Sequence, residues 1–391
     1  MNNIVLRSAG ASLVLLLLVA WAWSLSADPA SKNLVFSLLT GTAFGIVLQR
    51  ARFCFLCNFR DYLDDRDPRG LIAIAVALAA GAVLYFIVLM AWVPVPQPER
   101  LPPNAHVGPV GIVLAAGSFV FGLGMAISGS CLSGHFYRLG EGSPTSPFAL
   151  AGAAFGFLLG FLSWNRLYLW SVSESRPVWL PFELGYAGAL AATLAVLGAV
   201  IAVLAATGRW NARQGMEPGL AALGRAVFVD RWPAAVGGLA VAAISALYYF
   251  RVAPLGVTAE LGSLVRTAGS SHELLPETLL GLDTLRGCAT VVKETLLSPN
   301  GLLVVGLVLG SFAAALVGGQ FRPALPTRAQ IAKGLVGGVL MGWGAMVSLG
   351  CTVGVLLSGI HAGALSGWVF LVCCTLGVWL GLSTMRRVGW R

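Results

Sequence analysis

The chain has 391 residues, 57% of them hydrophobic and only 10% charged, with a formal net charge of +9. A soluble domain carries roughly a quarter charged residues, so this composition cannot cover a water-facing surface and calls for lipid. The positive charge does not point to nucleic acid, because the arginines are scattered among loops and form no basic stripe. It fits the positive-inside bias of a bacterial-type membrane protein.

A helix needs about 20 apolar residues to cross the hydrocarbon core. Apolar runs near 10–26, 33–49, 70–93, 109–128, 146–164, 184–206, 234–250, 300–317, 334–350 and 365–384 predict an all-α, polytopic protein of about ten spans, some of them half-helices. The first run could be a signal peptide. Its basic segment holds only Arg7, and Leu25-Ser26-Ala27 is a poor cleavage site, so a retained span is expected.

With a cytoplasmic C-terminus, most of the 25 Lys and Arg fall on the cytoplasmic side, among them Arg50, Arg60, Arg66, Arg209, Arg213, Arg225, Arg231, Arg386 and Arg387. The polar stretch 208–233 reads as a basic cytoplasmic linker. It separates an additional first span (1–32) and a first half (33–207) from a second half (234–391). The other long polar stretch, Arg251 to Asn300, is expected to hold short helices at the surface.

An internal repeat joins the halves. Gly122, Gly124, Ser128, Cys131 and Gly134 align without gaps on Gly342, Gly344, Ser348, Cys351 and Gly354. In the ten-span arrangement the copies enter from opposite sides, a common transporter plan. In each copy an apolar helix runs into small residues with a cysteine at their centre. Glycines there free the backbone from helical geometry, and such backbone is tolerated in a membrane where it lines a cavity. Exposed amides and helix N-termini can cradle an anion. A thiol adds a soft, weak donor, able to touch a sulfane sulfur without trapping it. A third element, Gly41 to Asp61, ends a Gly-x-x-x-Gly helix in Cys54, flanked by Arg50 and Arg52, whose charge favours an anion.

Leu48-Gln49-Arg50-Ala51-Arg52-Phe53-Cys54 with Phe59-Arg60-Asp61 resembles the YeeE/YedE family of sulfur-compound transporters. So do Phe121 to Gly124 through Gly129-Ser130-Cys131, then Tyr137 to Gly142, and Gly337 to Gly342 through Gly350-Cys351. The resemblance covers residues 35 to 385. It implies a bacterial inner-membrane permease importing thiosulfate, with Cys54, Cys131 and Cys351 as pathway thiols. It also implies a cytosolic sulfur carrier of the TusA type as partner. Arg52, Gly129, Ser130, Gly134, Gly350 and Gly354 complete the expected substrate site. The chain departs from the family pattern at Ser130, Leu349 and Ala51, and selenium-related branches share the scaffold.

Other signals are weaker. Cys54-x-x-Cys57 matches a redox pair, so a membrane thiol–disulfide oxidoreductase is the rival reading. A zinc site would need two further ligands; no metal, cofactor or enzymatic activity is expected. Cys288 could be an entry-side thiol, and Cys373 and Cys374 read as packing. His135 with Glu141 reads as an interfacial loop pair or a proton relay, His361 as interfacial, and Arg138 and Arg60 as vestibule or retention charges. No G-x-x-x-x-G-K-[ST] motif supports ATP hydrolysis.

Overall fold

The structure is a computed structural model that describes residues 2–97, 100–210, 220–285, 290–295 and 297–387. Its helices run in chain order: α1 (Asn2–Ser26), α2 (Lys32–Ala51), α3 (Phe55–Asp65), α4 (Arg69–Trp92), α5 (Ile112–Ser128), α6 (Leu132–Gly140), α7 (Ser146–Trp170) and α8 (Leu180–Thr207). They continue with α9 (Leu220–Phe228), α10 (Ala234–Arg251), α11 (Val257–Ser271), α12 (Pro299–Val317) and α13 (Arg328–Val347). A π-helical segment, Thr352–Ser358, leads into α14 (Gly359–His361) and α15 (Leu365–Arg387). Among the described residues, ten helical stretches are long and apolar enough to cross a membrane, matching the ten predicted runs. Among the described residues there is no strand, only isolated bridges such as Trp179 with Ala364.

Apolar side chains gain little by leaving lipid for one another, so helices associate through close van der Waals contact at small residues. The α2 and α12 axes run parallel and nearly touch. A Cβ at Gly41 would overlap the Leu303 backbone, and one at Gly45 the Leu307 carbonyl. In the same way α13 lies parallel to α7, with Gly156 against Val339, and α15 parallel to α5, with Gly377 against Phe119. The two helices that carry the repeat, α5 and α13, pack antiparallel. Gly117 meets Val347 at one end, and Ser128 meets Gly337 at the other. α1 is peripheral, presenting Leu13, Leu16, Leu17 and Trp23 outward while Leu18 and Ala22 pack on Leu38 and Leu302.

The structure corrects two expectations. The segment 251–300 does not merely lie on the surface, for α11 is inserted beside α7 and α12. It buries Val257, Thr258, Ala259, Glu260, Gly262, Ser263 and Arg266. Its charges are neutralised there. Lys293 pairs with Glu260, and the Ser298 hydroxyl donates to Glu260 Oε2 at 3.0 Å. Arg266 pairs with Asp283 at 2.7 Å. His361 is fully buried rather than interfacial: its Nε2 donates to the Ala77 carbonyl at 3.2 Å and its ring tilts against Tyr85. Residues 211–219 of the expected linker, with Arg213, lie outside the described residues, as does Cys288. The linker's far end is tied back to α2 by Trp232, whose backbone N–H donates to the Arg50 carbonyl at 3.1 Å.

Candidate functional site

At three helix breaks among the described residues, a cysteine stands at the N-cap position of the segment that follows. α2 ends at Arg52 in the left-handed region (φ 50), and extended Cys54 opens α3. α5 ends at Gly129 (φ 84), and Cys131 opens α6 with its Sγ accepting from the Gly134 N–H at 3.3 Å. α13 ends through Leu349 (φ 60) and Gly350 (φ 151), and Cys351 opens the π-helical segment with its Sγ accepting from the Val353 N–H at 3.4 Å. The first N–H groups of a helix lack intrahelical partners and carry its positive dipole end. Each thiol therefore sits where backbone N–H groups stabilise a negative charge.

The repeat serves one local geometry. Ser128 Oγ donates to the Ser130 carbonyl at 3.1 Å, and Ser348 Oγ to the Gly350 carbonyl at 3.2 Å. These bonds hold both serine-x-x-cysteine turns in the same shape. Leu349 stands in the left-handed region, which non-glycine residues avoid. His106 steadies it, its Nε2–H donating to the Leu349 carbonyl at 3.0 Å.

The structure gathers Cys54, Cys57 and Cys131. All are at most 3% exposed, and the Cys57 and Cys131 thiols are both neighbours of the Cys54 thiol. Cys54 Sγ and Ser130 Oγ share a hydrogen bond at 3.6 Å, as do Cys131 Sγ and Ser133 Oγ at 3.3 Å. Arg138 is the clasp: it donates to Cys57 Sγ at 3.1 Å and to the Gly129 carbonyl at 3.2 Å. A cavity of about 40 Å³ connects this cluster to the other repeat. Its lining includes Cys131 and Ser133 of the first repeat, Thr352 and Val353 of the second, and Phe53 and Phe55. Cys351 is fully buried within the second break.

Arg52 is not in contact with these thiols. It is exposed at the end of α2, close to Arg231 and Glu141. Burial and the neighbouring Arg52 push the Arg231 guanidinium below its ordinary value. Burial pushes the Glu141 carboxyl up, although it accepts from Gln49 Nε2 at 3.3 Å. His135 is buried rather than interfacial, bonded to Ser146 Oγ at 3.2 Å. On the same face Gly129 borders a vestibule of about 690 Å³ lined by Arg60, Asp64, Gln330, Lys333 and Arg386. The sequence marked Ser130 as a candidate site residue, but it missed the clasp that Arg138 makes and the support that His106 gives. His106 gives no local signal, because its partner lies 243 positions away.

Fold and site together define a polytopic α-helical membrane transport protein built around buried thiols at helix breaks. The chain belongs to the sulphur transport family, whose model matches residues 50–380. It is similar to the thiosulfate transporter TsuA of Spirochaeta thermophila, 32% identical over 88% of this chain and 96% of that protein. It is also similar to TsuA of Escherichia coli, 26% identical over 88% and 92%. A shorter match, 31% identical over 21% of each chain, is to the probable transporter YedE of E. coli. These relatives support a sulfur-anion transport role.

Proposed function

We propose that the chain is an inner-membrane permease that imports thiosulfate, with the anion passing from Cys351 to Cys131 and Cys54. The C-terminus is cytoplasmic in this reading. The halves 33–207 and 234–391 each contribute one repeat, inverted with respect to the other. The observation that carries the reading is the placement of three buried thiols, each at the positive end of a helix and free of disulfides. The S–H group meets the soft terminal sulfur while backbone N–H groups balance the charge. Each stop binds weakly enough to release, as multi-site conduction requires. Gly129, Ser130, Gly134, Gly350 and Gly354 shape the stops, and Arg52 with Arg231 makes the cytoplasmic mouth basic. A cytosolic sulfur carrier of the TusA type receives the product there.

The test is uptake of radiolabelled thiosulfate into proteoliposomes, alongside thiosulfate-dependent growth of an uptake-deficient bacterium. Serine at position 54, 131 or 351 is expected to reduce uptake at least about tenfold, each removing a thiol contact to the anion. Absence of uptake by the unaltered, membrane-inserted protein refutes the assignment. One observation favours a second reading: the Cys57 thiol lies beside Cys54, as a thiol–disulfide oxidoreductase requires. Cys57→Ser separates the two, because the permease tolerates it and the oxidoreductase does not. The same assay with a selenium-containing anion separates the substrates.

A further inference from the structure

Two threonine hydroxyls stand beside the break at Cys351. Thr258, on the first turn of α11, is 1% exposed, and Thr290 is 5% exposed. The Thr258 hydroxyl reaches only the Cys351 sulfur, and the Thr290 Oγ1 has no hydrogen-bond partner among the described residues. A buried hydroxyl without a partner is costly, and in a native protein it needs a reason. Both line one cavity, together with Phe157, Leu282, Leu349 and Gly350, directly before Cys351. The Cys351 sulfur is approached by N–H groups from two helices: Val353 and Gly354 of the π-helical segment, and Thr258 of α11, whose hydroxyl also lies alongside. The N-terminus of a 15-residue helix thus converges with a capped thiol, the hydroxyl that touches it and one unsatisfied hydroxyl.

We propose that Thr258 and Thr290 form an oxyanion subsite that grips the oxygen end of thiosulfate while its terminal sulfur meets Cys351. This deepens the permease reading and rests on it. Thiosulfate carries three hard oxygens and one soft sulfur. Hydroxyl and backbone N–H donors suit the oxygens, and the thiol suits the sulfur. Sulfate lacks the soft end and hydrosulfide lacks the oxygens, so requiring both ends discriminates against each.

The cavity is only about 10 Å³, room for a single water, so the anion must displace a wall to enter. One wall is the segment carrying Thr290. It is held by Arg266, which donates to the Thr290 carbonyl, and by the Val291 N–H, which donates to Ser263 Oγ at 3.0 Å.

The experiment compares Thr258→Val and Thr290→Val with Thr258→Ser and Thr290→Ser in proteoliposomes. Uptake of radiolabelled thiosulfate gives KM and the maximal rate. Protection of Cys351 from a thiol-alkylating reagent by added thiosulfate reports binding without turnover. Each valine variant is expected to raise both KM and the half-protecting concentration about tenfold or more, as loss of a hydrogen bond to a charged group does. The maximal rate stays within about threefold, and the serine variants stay near the unaltered protein. Valine variants with unchanged KM and unchanged protection overturn the subsite, as does a fall in maximal rate alone. Failure of the permease reading looks different: the unaltered protein neither transports thiosulfate nor is protected by it.

Discussion

Replacing Gly129 isolates the contribution of one backbone conformation. At φ 84 and ψ 9 it occupies the left-handed region. A Cβ built there meets no atom within 4 Å. The cost of Gly129→Ala is therefore backbone strain without steric overlap, about 1–2 kcal/mol. That corresponds to roughly a tenfold loss in the folding equilibrium. Asparagine tolerates the left-handed region, so Gly129→Asn is expected to cost less than about 1 kcal/mol. Valine, branched at Cβ, is expected to cost the most. The order Asn, Ala, Val is read by denaturant titration in mixed micelles. Gly45→Ala is the contrast, since its Cβ overlaps the Leu307 carbonyl and forces α2 from α12 at a cost of about 1–3 kcal/mol. An alanine at 129 as stable as glycine, or an asparagine worse than alanine, refutes the reasoning.

Breaking the Glu260–Lys293 pair, whose side chains are 8% and 6% exposed, leaves a buried charge uncompensated. Lys293→Met and Glu260→Gln are each expected to lose about 3–5 kcal/mol, and the double variant less than their sum, in a double-mutant cycle. Arg138→Lys cannot reach both Cys57 Sγ and the Gly129 carbonyl from a single ammonium; the variant is expected to melt earlier and to show faster alkylation of Cys57. The Arg266 hydrogen bond lowers the Asp283 carboxyl below its ordinary value. Its contribution is thus present above the unfolded pKa and fades as pH falls through the folded one. Asp283 is 67% exposed, so solvent limits the effect to at most about 1 kcal/mol, measured as a smaller acid-side loss of melting temperature in Asp283→Asn.

The spans were legible because hydropathy alone decides what a bilayer accepts, and all ten predicted runs match spanning helices. The breaks were legible as glycine-rich interruptions of apolar helices, with Cys131 and Cys351 centred in each copy. α11 was not. Val257 to Ser271 carries Glu260 and Arg266, which read as surface charges until Lys293 and Asp283 are seen to neutralise them from 33 and 17 positions away. His361 misled for a related reason: its partners, the Ala77 carbonyl and Tyr85, belong to a distant helix. Thr258 and Thr290 gave no signal, because one is distinguished by its contact with Cys351, 93 positions away, and the other by the lack of a partner, which only packing reveals.

The narrow chamber between Cys131 and the π-helical segment has a bearing on the membrane itself. About 40 Å³ walled by Phe44, Leu48, Phe53 and Leu357 admits a few waters at most, and so small a group does not reach from face to face. Water is pinched off at that level by aromatic and leucine side chains, which set how tightly the chamber is sealed.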